Sequence, residues 1–471
     1  MKSKIYVIIG LFLILFAGEG NLLAQTDFKK GTVLDKVICR NFPSQSYALY
    51  LPQKYTPDKA WPILYCFDPS ARGKVPVDHF KQAAETYDFI VAGSHNVKNG
   101  PWEEIFQAMQ ILWDDTQSRF NIDPTSIYST GFSGGARAAV LFSQTIKKPV
   151  SGIIGCGAGL PSQFNPEDID PSVYYGIVGI ADFNYREMIR LDKNLDQTGV
   201  THSIHYFEGR HAWPPSDVCL SAWEWMEVMR MKQYIVPENR NKIEKIYGKK
   251  IQTAENLEKK GNIYWAVLSY QEISSLFSGF KDISDTEKKI NRLQQSDVYK
   301  EFARKENERL QREANIIRTC GNIFNQIEKS PREIKDYEEL FAEMKLDLLF
   351  KEVQAKNRME DHSLAVRLLD LIFMRAARTG NQHLKSSHPL KAVILFEIAV
   401  KASQGNDEVH KLMLFDLAQA YALNNDKKSA FKYLELAVKN SFQNLAAIQN
   451  SPYFKYLRKS RKYHKIIEKI K

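Results

Sequence analysis

The run Gly131-Phe132-Ser133-Gly134-Gly135 sets a serine between glycines at G-x-S-x-G spacing. Upstream, Ser126-Ile127-Tyr128-Ser129-Thr130 is β-prone, and downstream Ala136-Arg137-Ala138-Ala139-Val140-Leu141-Phe142 favours helix. A strand, a sharp turn and a helix lift the hydroxyl to an apex, and glycine is needed where a Cβ would collide with the neighbouring strand or helix. Such a turn also aims the N–H of Gly134, at the helix start, towards an oxyanion forming beside the hydroxyl. The same residues also describe a glycine-rich turn whose serine only caps its helix. Partners elsewhere in the chain decide between the two.

A serine hydroxyl is a weak nucleophile at neutral pH, so it needs a general base, and the base needs an acceptor that holds its tautomer. The stretch Val173-Tyr174-Tyr175-Gly176-Ile177-Val178-Gly179-Ile180-Ala181-Asp182 reads as an apolar strand ending in a carboxylate. Further on, Ile204-His205-Tyr206-Phe207-Glu208-Gly209-Arg210-His211-Ala212-Trp213 reads as a strand followed by a tight turn that carries a histidine. Taken alone, Asp182 caps a helix or His211 is a plain loop residue. Taken in the order Ser133, Asp182, His211, they are a nucleophile, an orienting acid and a base at strand ends, where an open α/β sheet gathers its functional groups. Glu208 is the nearest alternative carboxylate.

The elements that must position these groups alternate in type. Thr32 to Cys39 and Ser46 to Leu51 read as an antiparallel pair, Pro62 to Phe67 as a buried strand, Val77 to Tyr87 as a helix and Phe89 to Ser94 as a strand. Trp102 to Phe120 follows as a long helix, Val150 to Gly155 as a strand and Asp217 to Met231 as a closing helix. This alternation predicts an α/β class with a mostly parallel sheet and helices on both faces. In the loop Ser94 to Trp102, His95 or Asn96 lines the substrate cleft or faces solvent. Trp213 is an apolar wall of the pocket or part of the core.

From about Lys36 to Lys232 the chain resembles the α/β-hydrolase fold, in particular the secreted esterases of the feruloyl-esterase and polyhydroxybutyrate-depolymerase type. The resemblance implies Ser133 as nucleophile, Asp182 as acid, His211 as base, a small ester or acylated carbohydrate as substrate, and no cofactor. One departure lies at Tyr65-Cys66-Phe67-Asp68-Pro69-Ser70, where those esterases often carry His-Gly. Proline has no N–H to offer, so the second oxyanion donor implied by the family is the backbone of Ser70.

Near Pro237 the composition changes. Of 24 glycines six lie beyond it, and of 18 prolines only Pro331, Pro389 and Pro452, so the second half is expected to be almost wholly helical. Leu414, Leu417, Ala418, Tyr421, Ala430, Leu434 and Ala437 fall at the spacing of a helical hairpin from about Lys411 to Asn440 that resembles a tetratricopeptide repeat. Such repeats bind a protein partner or cover the active site, and an ordinary helical bundle is the alternative to them. The charged stretch Asn291 to Arg318 reads as one long solvated helix or a coiled segment.

Lys2 and Lys4, the apolar run Ile5 to Ala17 and Leu22-Leu23-Ala24 read as an export leader. The expected organisation is thus a leader over 1–24, an α/β-hydrolase domain over 25–235 and a helical repeat domain over 236–471, in the periplasm or secreted. The formal charge of +10 comes without a basic patch interleaved with aromatics, which argues against nucleic acid. No later stretch is apolar enough for stable membrane insertion. Cys39, Cys66, Cys156, Cys219 and Cys320 show no metal-ligand pairing, so no metal is expected. Two readings compete: a serine hydrolase of carboxylic esters, and a hydrolase-like scaffold that no longer turns over.

Overall fold

A computed structural model describes residues 28–169, 172–233, 239–355 and 359–470. The leader and the boundary near Pro237 lie outside the described residues. The first half comprises β1 (Leu34–Ile38), β2 (Ser46–Tyr50), β3 (Trp61–Phe67), α1 (Lys74–Tyr87), β4 (Ile90–Ser94), α2 (Trp102–Arg119) and β5 (Ile122–Phe132). It continues with α3 (Gly134–Ile146), β6 (Gly152–Cys156), β7 (Val173–Gly179), α4 (Tyr185–Thr198), β8 (His202–Phe207) and α5 (Ser216–Gln233).

The strands form one sheet in the order β1-β2-β4-β3-β5-β6-β7-β8. The pairs β1/β2 and β2/β4 are antiparallel, and every later pair is parallel. This is an α/β-hydrolase sheet. Its central strands read as unbroken apolar runs because helices cover both faces. One face buries Ile105, Leu112, Phe142, Met188 and Leu195 from α2, α3 and α4. The other buries Val77 and Phe80 of α1 together with Trp223, Trp225 and Met226 of α5. There the Phe89 and Trp223 rings stack with centroids 3.5 Å apart.

The second half is all helical, as its scarcity of turn-formers predicts. It runs α6 (Asn239–Lys259), α7 (Ile263–Phe277), α8 (Ser284–Gln295), α9 (Asp297–Lys329), α10 (Tyr337–Glu343) and α11 (Leu346–Gln354). Then come α12 (Met359–Lys385), α13 (Pro389–Ala402), α14 (Asp407–Leu423), α15 (Lys427–Lys439), α16 (Leu445–Asn450) and α17 (Arg461–Ile467). The expected single helix over Asn291 to Arg318 is broken at Ser296, whose hydroxyl accepts the Tyr299 N–H at 3.3 Å and caps α9. Helices α14 and α15 form the expected hairpin, with fully buried Ala418 and Ala430 and the rings of Tyr421 and Tyr433 stacked.

The change of composition does not mark a break in packing. Ile243 and Ile246 of α6 and Ala266, Tyr270, Ile273 and Phe277 of α7 belong to the same core as α1, α5 and one face of the sheet. Separate cores begin further on, around α9 to α14 and around α14 to α17. All five cysteines are buried and unpaired. Burial pushes the thiols of Cys39, Cys156 and Cys320 up to about 12. Among the described residues no helix is long and apolar enough to cross a membrane.

The helices also reach the loops at the carboxyl ends of the strands. Arg367 of α12 pairs with Glu313 of α9 through Nε at 3.0 Å and Nη2 at 2.7 Å, with both side chains almost fully buried. Its Nη1 donates to the Ile180 carbonyl at 2.9 Å, just after β7. Breaking a buried pair leaves a charge uncompensated, so Arg367→Met is expected to cost about 3–5 kcal/mol in urea unfolding. The double variant Arg367→Met with Glu313→Leu should recover a large part of that loss.

Candidate active site

Three strand ends and three loops bring the predicted groups together. Ser133 stands between the last residue of β5 and the first of α3, with φ +53° and ψ −119°. Its N–H donates to the Cys156 carbonyl at 2.8 Å, which fixes the turn to the neighbouring strand. The helix turns back so closely that a Cβ on Gly131 would overlap the Gly135 carbonyl, and one on Gly135 would overlap the Phe67 carbonyl. Only glycine fits at either position.

The apolar run before Asp182 is shorter as a strand than its sequence predicts, because β7 ends at Gly179 and residues 180–182 turn. In that turn the Ala181 N–H donates to the Gly209 carbonyl at 2.9 Å, tying the loop after β7 to the loop after β8. The Asp182 carboxylate is buried, and its Oδ1 accepts the Asn184 N–H at 2.8 Å. Both of its oxygens lie 2.8 Å from His211 Nδ1. On the far side of the ring, His211 Nε2 lies 3.0 Å from Ser133 Oγ. An acceptor-only carboxylate at Nδ1 places the proton there and leaves the Nε2 lone pair facing the hydroxyl. The imidazole packs against the rings of Phe132, at 4.5 Å, and Phe183, at 4.0 Å. Glu208, the alternative acid, is exposed and takes no part in this chain of bonds.

The oxyanion side departs from what the family implies for Ser70. The Ser70 N–H donates to Asp68 Oδ1 at 2.8 Å, an Asx turn that Asp68-Pro69-Ser70 encodes locally. That N–H is therefore occupied. Asp68 is itself fully buried and also accepts from Arg72 Nε at 3.0 Å, Arg72 Nη2 at 2.9 Å and Trp213 Nε1 at 2.9 Å. Burial raises its carboxyl, but the bonds from Arg72, Trp213 and the Ser70 backbone outweigh it and hold the group below the usual carboxylate range. Trp213 is accordingly a core residue that anchors Asp68, not an open pocket wall. Asn96 is also committed to structure, since its Oδ1 accepts the Ser46 N–H at 2.9 Å.

Gly134, the other predicted donor, opens α3, and its N–H takes no part in the backbone bonds of the turn. Beside it stands a residue that the sequence reasoning passed over. The exposed Asn99 side chain occupies the space where a Gly134 Cβ would point, and its backbone N–H is fixed to the Pro69 carbonyl at 2.8 Å. No hydrogen bond engages its carboxamide among the described residues. The strand-end loop containing Asn99 was the only signal for it. Arg210, next to His211, pairs with Asp370 of α12 at 2.6 Å, a contact across 160 positions that no local pattern announces.

No family model matches the chain, and no curated protein matches it. Among solved structures it is similar to an S-formylglutathione hydrolase from Staphylococcus aureus, at 14% identity over 41% of this chain and 95% of that one, with a TM-score of 0.34. A ferulic acid esterase gives 14% identity, 41% and 96% coverage and a TM-score of 0.33. Esterase B from Lactobacillus rhamnosis gives 14% identity, 44% and 91% coverage and a TM-score of 0.35. The fold itself rests on the strand order above.

The line of bonds from Asp182 through His211 to Ser133 can raise the nucleophilicity of one hydroxyl. Replacing the acid by its amide keeps the shape but favours the wrong imidazole tautomer. Asp182→Asn should therefore slow covalent capture of Ser133 by a fluorophosphonate by about 10⁴, followed by intact-protein mass spectrometry. A loss smaller than roughly tenfold would assign the orienting role to another group.

Proposed function

We propose that the chain is an exported serine hydrolase of carboxylic esters, acting on a small ester or an acylated carbohydrate. The observation that carries this reading is the unbroken line from Asp182 through His211 to the hydroxyl of Ser133, at 2.8 and 3.0 Å. In this reading His211 Nε2 takes the proton of Ser133 as Oγ attacks the acyl carbon, and Asp182 compensates the imidazolium. The imidazolium then hands that proton to the leaving alkoxide, and water releases the acyl group by the same steps in reverse. The Gly134 N–H is one oxyanion donor. The second, in place of Ser70, is the Nδ2 of Asn99 once its carboxamide is turned end for end, since Oδ1 is the atom now nearest Gly134 and no hydrogen bond among the described residues holds that orientation. Esters are preferred to peptide bonds through the resemblance to the feruloyl-esterase type.

The occupied Ser70 N–H favours a second reading, a hydrolase-like scaffold whose tetratricopeptide-like hairpins hold a protein partner. Turnover separates the two. Ser133→Ala should abolish hydrolysis of p-nitrophenyl acetate and the fluorophosphonate adduct while leaving the circular-dichroism spectrum unchanged. Asn99→Ala should lower kcat by about 10², the size of effect seen when one oxyanion donor is removed, with KM little changed. Undiminished turnover in folded Ser133→Ala protein would remove Ser133 as the nucleophile, whereas the absence of both turnover and adduct in the wild type would leave the scaffold standing.

A further inference from the structure

The helical half contributes more than a buttress at the site. A cavity of about 420 Å³ opens beside His211, bounded on one side by Phe183, Arg210 and the imidazole itself. Its other walls are Phe350 of α11, Leu369 and Phe373 of α12, and Val409 at the start of α14. The volume is that of an ordinary small-molecule site. A slightly larger cavity runs along β8, but neither Ser133, Asp182 nor His211 lines it.

The chemistry of the walls restricts what fits. The charged side chains lining the cavity, Arg210 and Asp370, are paired to each other at 2.6 Å. The Ser403 hydroxyl is occupied by the Val400 carbonyl at 3.1 Å and His410 Nδ1 at 3.1 Å. A charged ligand would therefore exchange its hydration for the neutral amides of Gln404 and Asn406 alone, whereas an apolar one gains from burial against three phenylalanines. The position of the cavity restricts which half of the ester enters it. It is lined by His211 and not by Ser133 or Gly134. During acylation the bond from Ser133 Oγ to the acyl carbon forms, the bond from that carbon to the alkoxide oxygen breaks, and the proton on Nε2 passes to the departing oxygen. The group adjacent to the base is the alcohol.

We propose that this cavity seats an uncharged apolar alcohol moiety of the substrate, which selects the small ester over the acylated carbohydrate, so that α11, α12 and the α13–α14 loop set specificity for the leaving group. The word substrate rests on the hydrolase reading; the binding of an apolar alcohol does not. Two variants test it in the full chain. Phe373→Ala removes a wall, and Gln404→Trp fills the cavity from an exposed position on the α13–α14 loop, where a change of side chain does not disturb the core. The readouts are the ratio of kcat/KM for hexyl acetate to that for methyl acetate, followed by acid release, and the binding of 1-hexanol to Ser133→Ala protein by calorimetry.

The expected result is that each variant lowers the hexyl-to-methyl ratio about tenfold, the size of a hydrophobic pocket contact, and weakens hexanol binding. An unchanged ratio together with unchanged or absent hexanol binding would overturn the proposal while leaving the hydrolase intact. Hexanol binding that Gln404→Trp abolishes, in a wild type that turns over no ester, would uphold the cavity and overturn the hydrolase. Absence of both turnover and hexanol binding in the wild type would overturn both.

Discussion

A helix that begins directly at the end of a strand must turn back over the sheet within a few residues, and the backbone of the turn then has no room for Cβ atoms. Gly131 and Gly135 satisfy that constraint against each other and against Phe67, and Ser133 absorbs the remaining rotation at φ +53°. A non-glycine residue so placed costs about 1–3 kcal/mol. The burial of Ala138, Ala139, Val140, Leu141 and Phe142 along α3 offsets it. The hydroxyl is thereby held by packing on one side and by the Cys156 carbonyl on the other. Every other group of the site is placed relative to it.

The loops after β7 and β8 have no such internal constraint. They are held by each other, through the Ala181 to Gly209 bond, and from outside by the helical half. Arg367 grips the Ile180 carbonyl, Glu306 accepts from the Tyr185 hydroxyl at 3.1 Å, and Asp370 holds Arg210. Burial raises the Asp370 carboxyl even with Arg210 and His211 pulling it down. These contacts surround Asp182 and His211 on the side away from the sheet, so the geometry of the base depends on helices more than 100 positions away in sequence.

Much of this was legible in the sequence where the signal is local. The alternation of apolar runs and amphipathic stretches foretold each strand of the sheet half and its helices other than α4. The order Ser133, Asp182, His211 foretold three groups that the structure hydrogen-bonds in a row. A backbone N–H or a carboxamide oxygen looks free in a sequence, and only the folded chain shows that Asp68 engages the Ser70 N–H and that Asn96 Oδ1 accepts from Ser46. Asp68-Pro69-Ser70 carries an Asx-turn signature, and the structure forms that turn. Asn99, Asp370 and Arg367 act through proximity alone. The break at Ser296 shows the converse case, where a local capping residue outweighs a charge pattern that reads as continuous.

The shared core of α5, α6 and α7 with the sheet also sets a schedule for biosynthesis. When residue 233 has been made, all eight strands exist, yet one sheet face still lacks Tyr270, Ile273 and Phe277 of α7. The outer edge of β8 likewise lacks the helices that border it, including Trp265 and Leu257. An uncovered edge strand is a template for pairing with another chain. Until α7 docks, the sheet is the part of the chain most exposed to misassociation.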